Sequence, residues 1–97
     1  MKIKVLRPAL REFLEASEFY EIQQSGVGLR FQKEIWRAIQ HIRDYPFAWP
    51  AESKDIRRCF VHKFPYKILY YVHKDTVVIL AFAHLHRRPN YWVDRRK

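Results

Sequence analysis

Two strongly apolar segments near the C-terminus constrain the fold more than any other feature of the chain. They cover Tyr66–His73 and Thr76–His84, are rich in β-branched and aromatic residues, and are separated only by Lys74 and Asp75. Such segments are typical of β-strands, and the short interval between them predicts an antiparallel hairpin. The second segment leads directly into a cluster of histidines and arginines. A rigid sheet that ends in such a cluster is suited to binding a phosphate backbone.

The N-terminal half of the chain has the periodicity of one strand and two helices. Alternation of polar and apolar residues predicts a short strand over Lys2–Leu6. Helical spacing of apolar residues predicts helices over about residues 9–24 and 28–45. The two glycines of the chain, Gly26 and Gly28, lie between them and indicate a tight turn, so the helices should be antiparallel.

The first predicted helix is amphipathic. Its apolar side is formed by four residues, namely Leu10, Phe13, Leu14 and Tyr20. Its outer positions are taken by charged residues, namely Arg11, Glu12, Glu15, Glu18 and Glu21. We expect the apolar side to pack on the sheet.

A further β-segment over Ile56–His62 completes the order β-α-α-β-β-β. This order predicts an α+β fold in which a helical hairpin packs on a small, mainly antiparallel sheet. A chain of 97 residues, 48% of them hydrophobic, suffices for one core, so we expect a single domain over residues 1–97.

Both faces of the predicted hairpin are apolar, yet one helical hairpin can cover only one of them. The other face must be covered by the C-terminal segment, by a partner protein, or by a substrate that stacks on the tyrosines. Closure of the core by Tyr91 and Trp92 is the simplest of these interpretations.

The chain is strongly basic. Lys and Arg outnumber Asp and Glu by 19 to 10, which gives a formal net charge of +9. Residues 84–97 contain five Lys or Arg against one acid, so the C-terminal segment is electropositive. This excess favours a nucleic acid or an acidic protein as partner, although basic termini are also often only solvated.

Cysteine content and N-terminal composition indicate the compartment. Cys59 is the only cysteine, which excludes an internal disulfide and the common zinc-finger spacings. The N-terminus has neither a signal-peptide apolar region nor a membrane span. We therefore expect a cytoplasmic protein with no membrane partner, no cofactor and no metal site.

The turn between the last two strands determines which residues share a face. If Lys74 and Asp75 form a two-residue turn, Lys67 faces Phe82, and His84 lies diagonally from Lys67 on the same face. The diagonal separation would then be about 7–8 Å, within reach of one phosphate.

The preceding turn determines which arginine joins Lys67. A two-residue turn places Arg58 and His62 on the face of Lys67, whereas a three-residue turn places Arg57 there. In either register one arginine lies beside Lys67, and His84 or His86 follows at the exit of the last strand.

These residue types suit RNA cleavage without a metal. The 2′-hydroxyl of RNA can attack the adjacent phosphate if a protein aligns the chain, stabilises the extra charge and moves two protons. Arginine and lysine can stabilise the charge, and histidine or tyrosine can move the protons. The strands carry no carboxylate pair, which argues against a metal-dependent nuclease. The alternative is that these residues are only surface or capping residues.

The whole chain resembles the RelE/ParE superfamily of bacterial toxins from type II toxin–antitoxin systems. The resemblance extends over nearly the full length and is carried by the segments EASEFYEIQ, GVGLRF, FPYKILYY and VVILAFAHLHRRPNYW in this order. It implies a small toxin that is neutralised by a co-expressed acidic antitoxin, in a complex that often represses its own operon.

The resemblance implies two possible mechanisms. RelE-like members cleave mRNA on the ribosome, whereas ParE-like members poison DNA gyrase and are not nucleases. Lys67 matches the position of an arginine in the nuclease branch, and Arg87 or Arg88 with Tyr91 resembles its terminal group. Lysine keeps the charge at this position but lacks the bidentate fork of arginine.

The first hypothesis from the sequence is therefore ribosome-dependent mRNA cleavage by a metal-independent endoribonuclease. The expected catalytic residues are Lys67, His84, His86, Arg87 and Tyr91. The expected substrate-binding residues are Arg57, Arg58, His62 and Arg88. The expected partners are the antitoxin, the ribosome and mRNA. The alternatives are gyrase inhibition without nuclease activity and a non-toxic RNA-binding module.

Overall fold

The computed structural model describes residues 1–96 and confirms the predicted α+β architecture. Its elements are β1 (Lys2–Val5), α1 (Arg7–Gln23), α2 (Val27–Asp44), β2 (Ala51–Ser53), β3 (Ile56–Phe60), β4 (Tyr66–His73), β5 (Thr76–His84) and a 3₁₀ turn (Val93–Arg96). The sheet order is β1-β5-β4-β3-β2, with β1 parallel to β5 and the other pairs antiparallel. The short strand β2 lies in a segment predicted to be a loop. Lys97, one of the basic residues of the C-terminal segment, lies outside the described residues.

The two apolar faces of the sheet are covered by different parts of the chain. The helices cover one face with a core that includes Phe31 and Ile35, both almost fully buried. The C-terminal segment covers the other face, where Trp92 is 1% exposed and packs against Leu69 and Leu80. Closure of the second face by this segment is therefore confirmed.

The inner side of α1 differs from the predicted one. Leu10 and Leu14 are 46% and 55% exposed, whereas the side chain of Glu12 is only 12% exposed. Phe13 and Tyr20 face the core as predicted. The rest of the inner side consists of Ala9, Glu12, Ala16 and Ser17. The small residues in this set allow the helix to lie close to the sheet, and they leave two leucines outside. Among residues 1–96, no helix is both long and apolar enough to cross a membrane.

The turn between the helices is closed by the carboxylate of Glu21. Its oxygens accept hydrogen bonds from the backbone N–H groups of Gly26 and Gly28 at 3.0–3.1 Å. Gly26 has a φ of 90°, in the left-handed region that favours glycine. At Gly28 the requirement is space, because an added Cβ would lie 2.6 Å from the carbonyl oxygen of Ser17.

We expect Gly28→Ala to destabilise the fold by about 1–3 kcal/mol, because the added methyl group overlaps backbone that cannot rotate away. Helix propensity alone predicts the opposite sign, a gain of about 1 kcal/mol. Urea unfolding followed by circular dichroism measures the change. An unchanged or increased stability would show that the helices can separate at this point without cost.

Candidate functional site

The pairing of β4 with β5 determines which of the predicted site residues share a face. Beside the turn, His73 pairs with Thr76, which is the register expected for a two-residue turn. Further along, the register shifts because Leu80 is an extra residue in β5. Beyond this β-bulge, Lys67 pairs with Ala83.

The predicted pairing of Lys67 with Phe82 is therefore wrong. His84 pairs with Tyr66, so it lies on the face of the sheet opposite to that of Lys67. The physical reason is that one inserted residue shifts the register, so that every later side chain of the strand points to the face of the sheet opposite to the one predicted. The structure does not bring Lys67 and His84 together around one phosphate.

Lys67 is part of an ion-pair cluster with two residues of β2 and β3. Its Nζ donates a hydrogen bond to Oε2 of Glu52 at 2.5 Å. Nη1 of Arg58 lies 3.6 Å from the other carboxylate oxygen of Glu52. All three side chains are at most one-third exposed. The charge of Lys67 is thus already paired within the fold, and a phosphate would have to compete with Glu52 for it.

The hairpin formed by β3 and β4 has the register predicted for a two-residue turn, because Phe60 pairs with Lys67. Arg58 therefore lies on the face of Lys67, as that alternative predicted, and Arg57 lies on the other face. The guanidinium of Arg57 donates hydrogen bonds to the carbonyl oxygens of Phe47 and Trp49, at 3.2 and 2.6 Å. Arg57 thus holds the loop that follows α2.

His62 lies outside the ion-pair cluster. It is exposed and follows the end of β3 within the turn, together with Lys63. Three of the predicted substrate-binding residues, Arg57, Arg58 and His62, therefore lie in three different surroundings.

The two histidines at the exit of β5 do lie together. The ring centroids of His84 and His86 are 5.2 Å apart, and the ring of Tyr66 lies 5.1 Å from that of His84. The backbone N–H of His86 donates to Nδ1 of His84 at 3.0 Å, so the ring proton of neutral His84 is on Nε2. A cleft of about 350 Å³ lies beside His84, and its wall includes Glu12 and Arg87.

Glu12 organises the opposite wall of this cleft. Its carboxylate accepts hydrogen bonds from the hydroxyl of Tyr91 at 2.6 Å and from the guanidinium of Arg95 at 2.8 and 3.0 Å. It also accepts the backbone N–H of Phe82 at 3.1 Å, while Arg95 donates to the carbonyl of Leu80 at 3.1 Å. Both backbone groups belong to the part of β5 beyond the end of β1. Glu12 and Arg95 therefore provide hydrogen-bond partners for backbone groups of β5 that no neighbouring strand pairs with.

Tyr91 and Arg87 are bound to this carboxylate rather than free. Nη1 of Arg87 lies 4.0 Å from Glu12, and its guanidinium lies 3.8 Å from the centre of the Tyr91 ring. Burial raises the pKa of Tyr91 above its ordinary value of 10.0, and its hydrogen bond to Glu12 raises the pKa further. Tyr91 therefore keeps its proton at neutral pH and acts as a donor. Arg88 is exposed.

Sequence reasoning missed Glu12 and Glu52, the two acids that pair with the predicted basic residues. The predicted pattern places Glu12 on the outer side of α1, although its spacing from Ala9 and Ala16 fits the inner side. That spacing was the one signal that could have identified it. Glu52 lies in a strand of three residues, too short to recognise from periodicity.

An apolar groove lies between the end of β1 and the two helices. It measures about 340 Å³, and its lining includes Val5, Leu10, Phe13, Ile35, Trp36 and Ile39. Trp36 is 63% exposed. A second groove shares Trp36 and Ile39 and is also lined by Lys2 and Arg43. The two grooves form one apolar surface with basic residues at one end, which we call the Trp36 surface.

The described surfaces carry imidazole, guanidinium and carboxylate side chains. Among residues 1–96, no three His, Cys, Asp or Glu side chains are grouped so that they could hold a metal ion. Burial raises the pKa of the Cys59 thiol to about 11, so this residue is not a thiolate nucleophile at neutral pH. At the His84 cleft, two imidazoles lie 5.2 Å apart and Arg87 forms part of the wall. A smaller pocket lined by Arg37, His41 and His62 also combines two imidazoles with an arginine.

Comparison with known proteins relates the chain to one family. A family model described as the ParE toxin of the type II toxin–antitoxin system parDE matches residues 3–89. A solved structure described as a chromosomal ParDE toxin–antitoxin system from P. aeruginosa superposes with a TM-score of 0.77 and 16% identity, covering 87% of this chain and 95% of that chain. At this identity the likeness is one of fold. The curated proteins include no match.

Proposed function

Because this chain belongs to the ParE toxin family of type II toxin–antitoxin systems, we propose that it inhibits DNA gyrase by binding it and does not cleave RNA. The observation that carries this proposal is the separation of Lys67 from His84 on opposite faces of the sheet. Cleavage of a phosphodiester requires the charge stabiliser and the proton-transfer groups around one phosphate. Inhibition by binding has no such requirement, and it agrees with what resemblance to the ParE branch implies.

The test uses the purified chain in two assays in parallel. We expect it to inhibit supercoiling by gyrase, or to trap cleaved DNA, while mRNA on translating ribosomes stays intact. In cells, expression of the chain alone should induce the DNA-damage response. Cut mRNA with unaffected gyrase would contradict the proposal. Growth without any toxicity would favour the third alternative, a non-toxic RNA-binding module.

Ribosome-dependent mRNA cleavage is the second candidate, and the His84 cleft favours it. His84 and His86 could transfer protons, and Arg87 could stabilise charge beside them. In this case His84→Ala with His86→Ala should abolish cleavage of mRNA. The matched control is His41→Ala with His73→Ala, since both residues are exposed histidines elsewhere. If the first pair of substitutions leaves toxicity unchanged, the cleft has no catalytic role.

The Trp36 surface is the place where we propose that the antitoxin binds. An acidic amphipathic segment could bury its apolar side against Trp36 and Ile39 and pair its acids with Lys2 and Arg43. The surface exposes large apolar side chains, including Leu10 and Trp36, that a chain acting alone does not need to expose.

A further inference from the structure

An electropositive groove that is separate from the His84 cleft and the Trp36 surface lies between α2 and the turn that joins β3 to β4. None of its residues lines that cleft or that surface. It measures about 320 Å³. Its basic residues are Arg30, Lys33 and Arg37 from α2 and Lys63 from the turn. Val27 and Phe64 form its apolar floor. We call it the Arg30 groove.

The charge of the Arg30 groove is only partly neutralised within the fold. Its one carboxylate, that of Glu34, accepts hydrogen bonds from Nη1 of Arg37 at 3.2 Å. Arg30, Lys33 and Lys63 are exposed, and none of them forms an ion pair with another residue in 1–96. Three unpaired cations therefore surround one groove, and an anion placed there would offset their mutual repulsion.

The spacing of the basic side chains along α2 fits the spacing of phosphates along a nucleic-acid strand. Arg30, Lys33 and Arg37 recur along one side of α2 and span about 10 Å of its axis. One strand of a DNA duplex carries a phosphate about every 3.4 Å of helix axis, so this distance corresponds to about three phosphates. Lys63, which has a φ of 71°, adds a cation from a separate element across the groove. From this geometry we propose that the Arg30 groove binds the phosphodiester backbone of a nucleic acid.

The floor of the groove indicates contact with phosphates rather than with bases or peptide side chains. The ring of Phe64 packs edge-on against Tyr20 and Phe31, with centroids 5.0 and 5.2 Å apart, so it is held by the core. It is therefore not a free platform for stacking a base. A peptide would require deep apolar pockets for its anchors, whereas only Val27 and Phe64 line this floor. Binding should thus be independent of sequence. This inference goes beyond the proposed function and does not depend on it.

The experiment measures binding of the full chain to a fluorescent DNA duplex of random sequence, over about 50–200 mM salt. The test variant carries Arg30→Gln, Lys33→Gln and Lys63→Gln. We expect its affinity to fall on the order of tenfold and the slope of log K against log salt to decrease by about 2.7, since each lost phosphate contact contributes about 0.9. The same strand in single-stranded form is the second arm and determines which form of backbone is preferred.

The matched control carries Arg43→Gln, Lys54→Gln and Lys74→Gln. These residues are also exposed, and they form no ion pair within residues 1–96, so the change of net charge is identical. We expect an affinity within about twofold of wild type and an unchanged salt slope. Equal losses in both variants would mean that the whole charge of the molecule, and not this groove, attracts DNA.

Wild-type protein supplies a measurement that does not depend on the folding of any variant. Addition of the duplex should shift the backbone amide resonances of residues 27–37 and 61–66. Shifts confined to residues 84–96 would overturn the proposal, as would polyglutamate that binds the groove more tightly than DNA. The triple variant should still inhibit gyrase, so failure of this inference and failure of the gyrase proposal give different results.

Discussion

Glu12→Gln should lower the free energy of unfolding by about 3 kcal/mol, because it leaves the guanidinium of Arg95 without its counter-charge in a mostly buried place. The side chains of Glu12 and Arg95 are 12% and 19% exposed. The glutamine keeps the shape, and its carbonyl oxygen can still accept the N–H of Phe82, so the loss reports mainly on charge. Urea unfolding measures the stability. Faster hydrogen exchange at Phe82 would report loosening of this edge of β5.

Glu15→Gln is the matched control for this prediction. Glu15 lies one turn further along α1, is exposed, and forms no ion pair within residues 1–96. We expect a change of at most about 0.5 kcal/mol, as for an ordinary surface position. If both variants unfold at the same urea concentration, the carboxylate of Glu12 contributes nothing to stability, and the C-terminal segment is held by other contacts, such as the burial of Trp92 and the pairing of Arg96 with Asp55.

The order of the elements, apart from the three-residue strand β2, could be predicted from the sequence because it depends on local periodicity. The apolar segments that became β4 and β5, and the stripe of α2 that includes Phe31 and Ile35, appear directly in the spacing of residues. Even the two-residue turn at Lys74 and Asp75 was predicted, although this dipeptide is an unusual one for such a turn. These features require no knowledge of what the chain contacts elsewhere.

Local periodicity could not predict which face of the sheet the side chains at the end of β5 point to. Leu80 is as apolar as its neighbours, so nothing in the pattern marks it as the bulged residue. The bulge becomes possible because Glu12 and Arg95, far away in the sequence, satisfy the backbone of Phe82 and Leu80. A local pattern cannot report a contact between residues that are 70 positions apart.

The same limit applies to the predicted basic cluster. Charge composition identified the basic residues, but it could not show that Lys67 pairs with Glu52 or that Arg87 lies beside Glu12. An ion pair removes a cation from the charge available to a ligand. The availability of a basic residue therefore depends on its neighbours in space, and in the Arg30 groove those neighbours leave three cations unpaired.

Trp36→Ala should weaken binding of the antitoxin by about 30-fold or more, since an aromatic anchor at the centre of an interface typically contributes at least about 2 kcal/mol. Trp36 is 63% exposed in the free toxin, so its removal should leave the fold and its stability almost unchanged. The measurement is calorimetric titration with the cognate antitoxin. The variant should also stay toxic when the two are co-expressed at levels that neutralise the wild type.

The control for Trp36 is Phe60→Ala, because Phe60 is a similarly exposed aromatic residue, 58% accessible, on the face of the sheet away from the helices. Its replacement should leave the affinity for the antitoxin within about twofold. A larger loss at Phe60 than at Trp36 would move the binding site to the face of Lys67. In that case the antitoxin would bind the ion-pair cluster of Glu52, Arg58 and Lys67, and not the Trp36 surface.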